Sequence, residues 1–338
     1  MLLRDGMQVN LRIVPEESYG AALMHFTGAR THITAIRRMA RARGLKVSEH
    51  GVFRGQRRIA GATEDEVYRT VGLPWIPPEL REDRGEIEAA RADRLPRLVA
   101  REDIRGDLHV HTCASDGSAS IAEMAGAARA LGYEYVAITE HSRRVTVAHG
   151  LDEARLSRQI DEIERLNETL EGITTLKGVE VDILEDGSLD LPDSILRRLD
   201  LVLGAAHTAF GLSRERQTDR ILRAMDNPCF TILAHPTGRL IGRREPLALD
   251  MERLVGGACE RRVILEVNGQ PDRLDLSDIH ARMARDSGVR IALTTDAHRP
   301  SDLGFMAGAA DQARRGWIEA ADVVNTRPLG ELRKLLRR

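Results

Sequence analysis

Hydrophobic and polar positions follow two rhythms along this chain, and the change falls near Gly106. From there a short β-branched or aliphatic run, a polar loop and a longer helical stretch recur, the alternation expected of a parallel sheet or βα barrel. Strands are expected at 107–111, 135–139, 175–183, 201–206, 230–234, 263–267 and 290–295. Helices should follow near 120–131, 153–171, 192–199, 213–225, 250–260, 276–287 and 304–315. The first helix carries its own punctuation, with Ser120 and Glu123 at its start and Gly132 past its end. Seven such units are one short of an eight-fold barrel. Before Gly106 the pattern predicts a strand at 11–14 and helices at 17–26 and 31–43, the second stopped by Gly44. Short strands should flank 49–51, and Thr63 with Glu66 forms a capping box for a helix that stops at Gly72. Residues 73–98, with Pro74, Pro77, Pro78 and Pro96 among many charges, read as an extended connector.

Composition removes several classes of protein. Of the 338 residues 42% are hydrophobic and 30% charged, and no apolar run approaches the ~18 residues of a membrane span. Arg4, Asp5 and Gln8 interrupt the first ten positions, so no signal-peptide core is present and a cytoplasmic location is expected, without a membrane partner. Cys113, Cys229 and Cys259 are too few and too far apart for a disulfide framework or a zinc ribbon, and read as reduced thiols. The net charge of −2 points to no polyanionic partner, yet residues 30–58 carry nine basic side chains against Glu49 alone. Such a stretch is either a solvated face or a surface that tracks phosphates.

The histidines carry the main chemical signal. Of eleven, six (His109, His111, His141, His207, His235 and His298) fall at or just beyond expected strand ends, with His149 a weaker neighbour. Asp116, Glu180 and Asp296 hold equivalent places. Carboxyl ends of barrel strands converge on one mouth, so these nine side chains should meet there. His109 and His111 share a strand face and can bind one ion together, and Asp296 with His298 repeats the spacing. Imidazole and carboxylate favour zinc, manganese or iron, and nine ligands exceed what one tetrahedral ion uses, implying two or three ions. A single such histidine would ordinarily be a hydrogen-bonded loop residue; the distribution over six of seven strands argues otherwise. Arg239, Arg243 and Arg244 offer forks for phosphate oxygens, against the alternative of an exposed basic loop. Asn268 and Arg299 stand beside the last two strand ends, and Arg143 and Arg144 either wall the mouth or pair at the surface. An amidohydrolase barrel also opens with this histidine pair but commonly bridges its ions through a carboxylated lysine. Lys177 and Lys334, the lysines of this half, are not at a strand's carboxyl end.

The motifs DLHVHT, SDG, TEH, GVEVDIL, AAHTAF, LAHPTGR, LEVNG and TTDAH resemble the PHP (polymerase and histidinol phosphatase) family. The nearest likeness is to the C-terminal half of bacterial family X DNA polymerases. The resemblance implies an α/β fold, a distorted (βα)7 TIM-like barrel at 107–338, preceded by a small α+β palm-end and thumb-like domain at 1–90 and a linker at 91–106. It implies three divalent ions, Mn²⁺ or Zn²⁺ with Fe²⁺ or Mg²⁺ as alternatives, and no organic cofactor. One ion would rest on His109, His111, Glu180 and Asp296, a set that would also be catalytic. A second would rest on Glu180, His207 and His235, and a third on Asp116, His141 and His298. Arg239, Arg243, Arg244, Asn268 and Arg299 would bind substrate. The implied activity is phosphoester hydrolysis at DNA 3′ ends, a 3′-5′ exonuclease of DNA repair acting on gapped or single-stranded DNA held by the thumb-like region and the barrel mouth. A small-molecule phosphomonoesterase of histidinol phosphatase type and a non-catalytic DNA-binding fragment are the alternatives.

The same resemblance argues against polymerisation by this chain. The family's paired palm aspartates have no counterpart in the sequence, and Asn10 stands where the family has its third carboxylate. His25, in HFTG, replaces the tyrosine of the family's nucleotide motif, and Ile33 replaces an asparagine. Two-metal nucleotidyl transfer needs anionic oxygens on Mg²⁺, which an amide does not supply. A separately encoded polymerase core is the partner that would restore the activity. A primer-extension assay on gapped DNA with dNTPs and Mg²⁺ or Mn²⁺ is expected to return no templated incorporation from this chain alone; extension that obeys the template would overturn the reading.

Overall fold

The computed structural model describes residues 1–4 and 6–336. They form two compact units, one ending at Pro96 and the other beginning at Arg97. No helix among the described residues is long and apolar enough to cross a membrane, and all three cysteines are free.

In the first unit, helices Tyr19–Phe26 and Arg30–Arg41 precede an antiparallel sheet of β1 (Lys46–Ser48), β2 (Gly51–Arg54) and β3 (Arg57–Ala60), and helix Glu64–Thr70 follows. Thr63 Oγ1 caps that last helix, accepting from the Glu66 amide at 3.2 Å, while the Glu66 carboxylate turns back onto the Gly61 and Ala62 amides. The sequence suggests two strands here; β3 hides behind its charges, with exposed Arg57 and Ile59 alternating with half-buried Arg58 and Ala60.

Two expectations need correction. Residues 11–14 form no strand: Leu11 and Ile13 are 75% and 91% exposed, and alternation without a hydrogen-bonding neighbour makes no sheet. Nor is 73–98 an extended connector. It holds the turn Pro78–Leu80 and the helix Glu86–Arg91, and it buries Ile76, Leu80 and Ile87. Its charges are used inside the fold. Arg81, fully buried, forks onto Glu64 at 2.6 and 2.9 Å, and Glu86 holds His32 Nδ1 at 2.6 Å while His32 Nε2 meets the Tyr68 hydroxyl at 2.9 Å. Buried charges survive only when paired in this way.

The second unit is built on seven parallel strands: β4 (Gly106–Val110), β5 (Tyr135–Ile138), β6 (Thr174–Asp182), β7 (Leu201–Ala205), β8 (Ile232–Leu233), β9 (Ile264–Asn268) and β10 (Ile291–Thr294). They lie in the order β10-β9-β8-β7-β6-β5-β4. Val110 pairs with Ala297 just beyond β10, which curls the sheet to near closure as a barrel. All seven expected strands are present. One apolar cluster takes residues from every strand, among them Leu108, Leu176, Leu203 and Ile232, and the helix Leu329–Leu336 adds Leu332 and Leu336 to it. Packing there leaves little slack. A Cβ added at Gly204 would lie 2.0 Å from the Phe230 ring. Gly204→Ala should therefore lower stability in urea denaturation by roughly 1–3 kcal/mol, the usual range for overpacking a tight core; an unchanged midpoint would show that the ring yields freely.

Candidate metal centre

Strand periodicity builds the centre. On β6 alternate residues share a face, so Leu176 at the start of the strand leads to Glu180 and Asp182 at its end. The same count leads from Ala137 to His141, from Leu203 and Ala205 to His207, from Ile264 to Glu266 and Asn268, and from Ala292 to Asp296. Each of these five strands thus begins apolar inside the barrel and finishes with an acid, an amide or an imidazole. His235 breaks the count, and it shares an unusual backbone conformation with Asp296. His235 and Asp296 sit at φ 26° and 52°, a left-handed region that costs a residue with a Cβ about 1 kcal/mol or more. Hydrogen bonds hold them there: the His235 amide donates to the Glu266 carboxylate, and the Asp296 carbonyl accepts from Gln270 Nε2 at 2.8 Å.

All nine expected side chains converge. Fully buried Glu180 stands between five imidazoles, with Oε2 at 3.6, 3.7 and 2.8 Å from His109 Nε2, His111 Nε2 and His141 Nδ1. Its Oε1 lies 3.3 Å from His207 Nε2 and 2.7 Å from His235 Nε2. Asp296 Oδ1 is 3.6 and 3.2 Å from the Nε2 atoms of His109 and His111. Asp116 faces His141 Nε2 at 3.4 Å and His298 Nε2 at 3.3 Å. Three groups have ligand atoms close enough to surround an ion: His109, His111 and Asp296; His141, Glu180 and His207; and His111, Asp116, His141 and His298. His149 stays outside them, exposed on its loop.

The electrostatics divide the imidazoles. Burial, reinforced by His141, pushes His111 down to about 3, which keeps it a neutral, ligand-competent imidazole. Burial would also lower His141, but the Glu180 and Asp116 carboxylates outweigh it and raise this group to about 10. Burial opposes ionisation of Glu180, and His207, His141 and His109 reverse that, holding its carboxyl well below the usual range. Glu180 Oε2, with the His109, His111 and His207 Nε2 atoms and His141 Nδ1, is buried without a partner in hydrogen-bonding geometry. Each such orphan costs about 1–3 kcal/mol, which a shared cation removes.

Further groups orient the nine, and of these sequence reading singled out Asn268 alone, as a substrate residue. Glu266 Oε1 holds His109 Nδ1 and the Thr294 hydroxyl, each at 2.6 Å. Asp182 accepts from the His207 amide at 3.0 Å, and Asn268 Nδ2 donates to Glu266 and Asp296, both at 3.2 Å. Arg273 Nε reaches Asp296 Oδ2 at 3.3 Å. The available signal was a carboxylate inside an otherwise apolar run, as in LEVN and VEVD. Among the expected substrate residues, Asn268 stands inside the centre. Arg244 stacks over the Phe210 ring with its guanidinium carbon 4.1 Å from the ring centroid. Arg239 is used within the fold, donating to the Arg273 carbonyl at 2.7 Å and to that of Leu274. Arg243 and Arg299 are 74% and 67% exposed and pair with Asp272 and Asp302.

A near-closed barrel of seven parallel strands with nine convergent imidazoles and carboxylates at their carboxyl ends defines a βα-barrel protein with a metal-binding mouth. The chain belongs to the PHP domain family: the model of that domain matches residues 107–240, and the DNA polymerase beta thumb model matches residues 22–82. A protein of Thermoanaerobacter sp. named a probable phosphatase is 31% identical over 242 residues, covering 68% of this chain and 94% of that protein. The DNA polymerase/3′-5′ exonuclease PolX of Bacillus subtilis is 41% identical over 332 residues, or 98% of this chain and 58% of that protein. The chain therefore spans little more than half the length of this relative. A solved histidinol phosphate phosphatase of Lactococcus lactis superposes with a TM-score of 0.45 at 16% identity, covering 63% of this chain and 93% of that one.

Outer-shell partners of metal-bound histidines typically carry 10–100-fold of metal affinity. Glu266→Gln, which removes the charge behind His109, should weaken Mn²⁺ or Zn²⁺ binding by about that factor in equilibrium dialysis; undiminished affinity would mean that His109 is oriented without it.

Proposed function

We propose that this chain is a metal-dependent phosphoesterase that removes nucleotides from DNA 3′ ends, a 3′-5′ exonuclease of DNA repair in the cytoplasm. The observation that carries the reading is Glu180, whose two oxygens address two separate histidine sets from one buried position. On this reading His109, His111, Glu180 and Asp296 hold one divalent ion, Glu180, His207 and His235 a second, and Asp116, His141 and His298 a third, with Mn²⁺ or Zn²⁺ the fitting choices. Bound side by side, such ions supply Lewis acidity, lower the pKa of water and offset charge on a phosphoryl group.

The chain's own residues do the rest. Asn268 fixes Asp296 and Glu266 together, and Arg244 offers a cation beside the mouth. In the reaction a water oxygen bonds to phosphorus while the bond from phosphorus to the O3′ of the preceding nucleotide breaks. That oxygen leaves with a proton, and a nucleoside 5′-monophosphate departs. Arg30, Arg38, Arg41, Arg43, Lys46, Arg54 and Arg57 are exposed and available to backbone phosphates, which supports DNA as the partner. The match to a polymerase thumb model supports the same choice. A small phosphomonoester is the second reading, favoured by the relative named a probable phosphatase, which aligns with 68% of this chain.

Incubation with end-labelled single-stranded and gapped DNA in Mn²⁺ separates the two. Stepwise shortening from the 3′ end, stopped by chelator, is expected; turnover of p-nitrophenyl phosphate with intact DNA would select the second reading. His109→Ala should reduce either activity more than about 100-fold, beyond the cost of an outer-shell change, and retained turnover would remove the centre from the chemistry.

A further inference from the structure

Phe210 lies three residues beyond His207 on the loop after β7, half-buried. Ala209, in left-handed backbone at φ 57°, sets the direction of the chain there. The loop is tied from behind, since Gln217 Nε2 donates to the Ala209 carbonyl at 2.7 Å and Arg220 Nη2 to the Thr208 carbonyl at 3.1 Å. The Arg244 guanidinium covers the ring at 4.1 Å, and its Nε donates to the Gly238 carbonyl at 2.9 Å. A strained loop and a pinned arginine thus hold a flat, delocalised pair in place.

The charge around this pair is unbalanced. The charged neighbour acting on Arg244 is a second cation, Arg273, which itself reaches Asp296 Oδ2 at 3.3 Å and keeps Nη1 buried without a hydrogen-bond partner. Arg273 is thus tied to a carboxylate of the centre, while Arg244 has the Phe210 ring and the Gly238 carbonyl as its partners. Starting from Asp296, the interactions lead to Arg273 by an ion pair, from Arg273 to Arg244 by like charge, and from Arg244 to the Phe210 ring by stacking. A phosphate followed by a flat base fits that order; a phosphate on a small flexible alcohol leaves the plane without an occupant.

We infer that Arg273, Arg244 and Phe210 form a terminal-nucleotide pocket, in which Arg273 takes oxygens of the phosphate to be cleaved and the Phe210–Arg244 pair stacks the 3′-terminal base. The inference rests on the exonuclease reading and names the part of the substrate that the metal centre itself does not select. Stacking reads the π-face that every base shares, so the pocket accepts any sequence and rejects an end with no base. Arg239, which ties down the Arg273 and Leu274 carbonyls, is a positioning residue for this pocket.

The test compares two oligonucleotides in Mn²⁺, one ending in thymidine and one ending in an abasic deoxyribose analogue. The wild-type chain is expected to prefer the base-bearing end about tenfold in kcat/KM, mainly through KM, in line with the contribution of one base–aromatic stack. Phe210→Leu should bring the preference within about twofold, Phe210→Tyr should retain it, and Arg244→Gln should lose it even if Phe210→Leu proves unstable. Calorimetric titration gives a readout independent of turnover: thymidine 5′-monophosphate should bind the wild type more tightly than deoxyribose 5-phosphate, with the margin lost in Phe210→Leu. A wild type that shortens both ends equally overturns the pocket and leaves the exonuclease reading intact. One that shortens neither end overturns both, and a preference that survives Phe210→Leu and Arg244→Gln removes these residues from base recognition.

Discussion

A carboxylate cut off from water must find positive charge, and the second unit is arranged around how Glu180 finds it. Moving such an ion out of water costs several kcal/mol even after relaxation. Five imidazoles lie within 3.7 Å of its oxygens, but they cannot all serve as cations at once, because like charges that close raise one another's cost. His111 shows the limit, held neutral by burial and by His141. Bound divalent ions would resolve the conflict, supplying the charge that Glu180 needs while the imidazoles stay neutral. The arrangement is therefore costly without metal and consistent with it, which is the sense in which the donor set defines the site.

The scaffold follows from the same requirement. Glu180 rides on β6, the longest strand of the sheet, with two strands on one side of it in the order and four on the other. The apolar start of each strand excludes water from below, so the polar ends meet where the dielectric is low and every charge counts for more. Glu266, Asp182 and Asn268 then fix the rings and carboxylates from behind. The left-handed backbone at His235 and Asp296 is tolerated because this second layer leaves those residues no other direction.

Much of this was legible in the sequence because strand ends announce themselves. A β-branched run that stops at a histidine or acid gives both the element and the ligand, and all seven strands and all nine convergent side chains were found that way. What escaped had a different cause in each case. Glu266 lies inside a strand buried on both faces, where one acid reads as an exception to the pattern and not as the partner of His109. The stretch around Arg81 and Glu86 reads as solvated because a linear scan counts charges without seeing that Glu64 and His32 are waiting for them. Residues 11–14 show the opposite failure: alternation is visible in one strand, but a sheet needs a neighbour. Arg239 and Arg244 share one loop and one residue type, and only the positions of carbonyls and rings separate a structural tie from an open cation.

The centre and its surroundings answer different questions. Its convergent side chains sit on strands or within a few residues of strand ends, where the backbone is fixed by the ladder, and on the proposed reading they would act on phosphate whatever group it carries. Identity of the substrate has to be read by the loops beyond those ends, where Phe210, Arg244 and Arg273 lie. Relatives named as a probable phosphatase and as a polymerase and exonuclease both match this chain, so overall likeness does not choose between their substrates. On the proposed reading the loops can, because the Phe210 ring and the Arg244 guanidinium lie beyond the ligand set and Arg244 has no acidic partner among the described residues. Selectivity in this architecture is therefore better sought in unbalanced charge and unused surface at the mouth than in the metal ligands themselves.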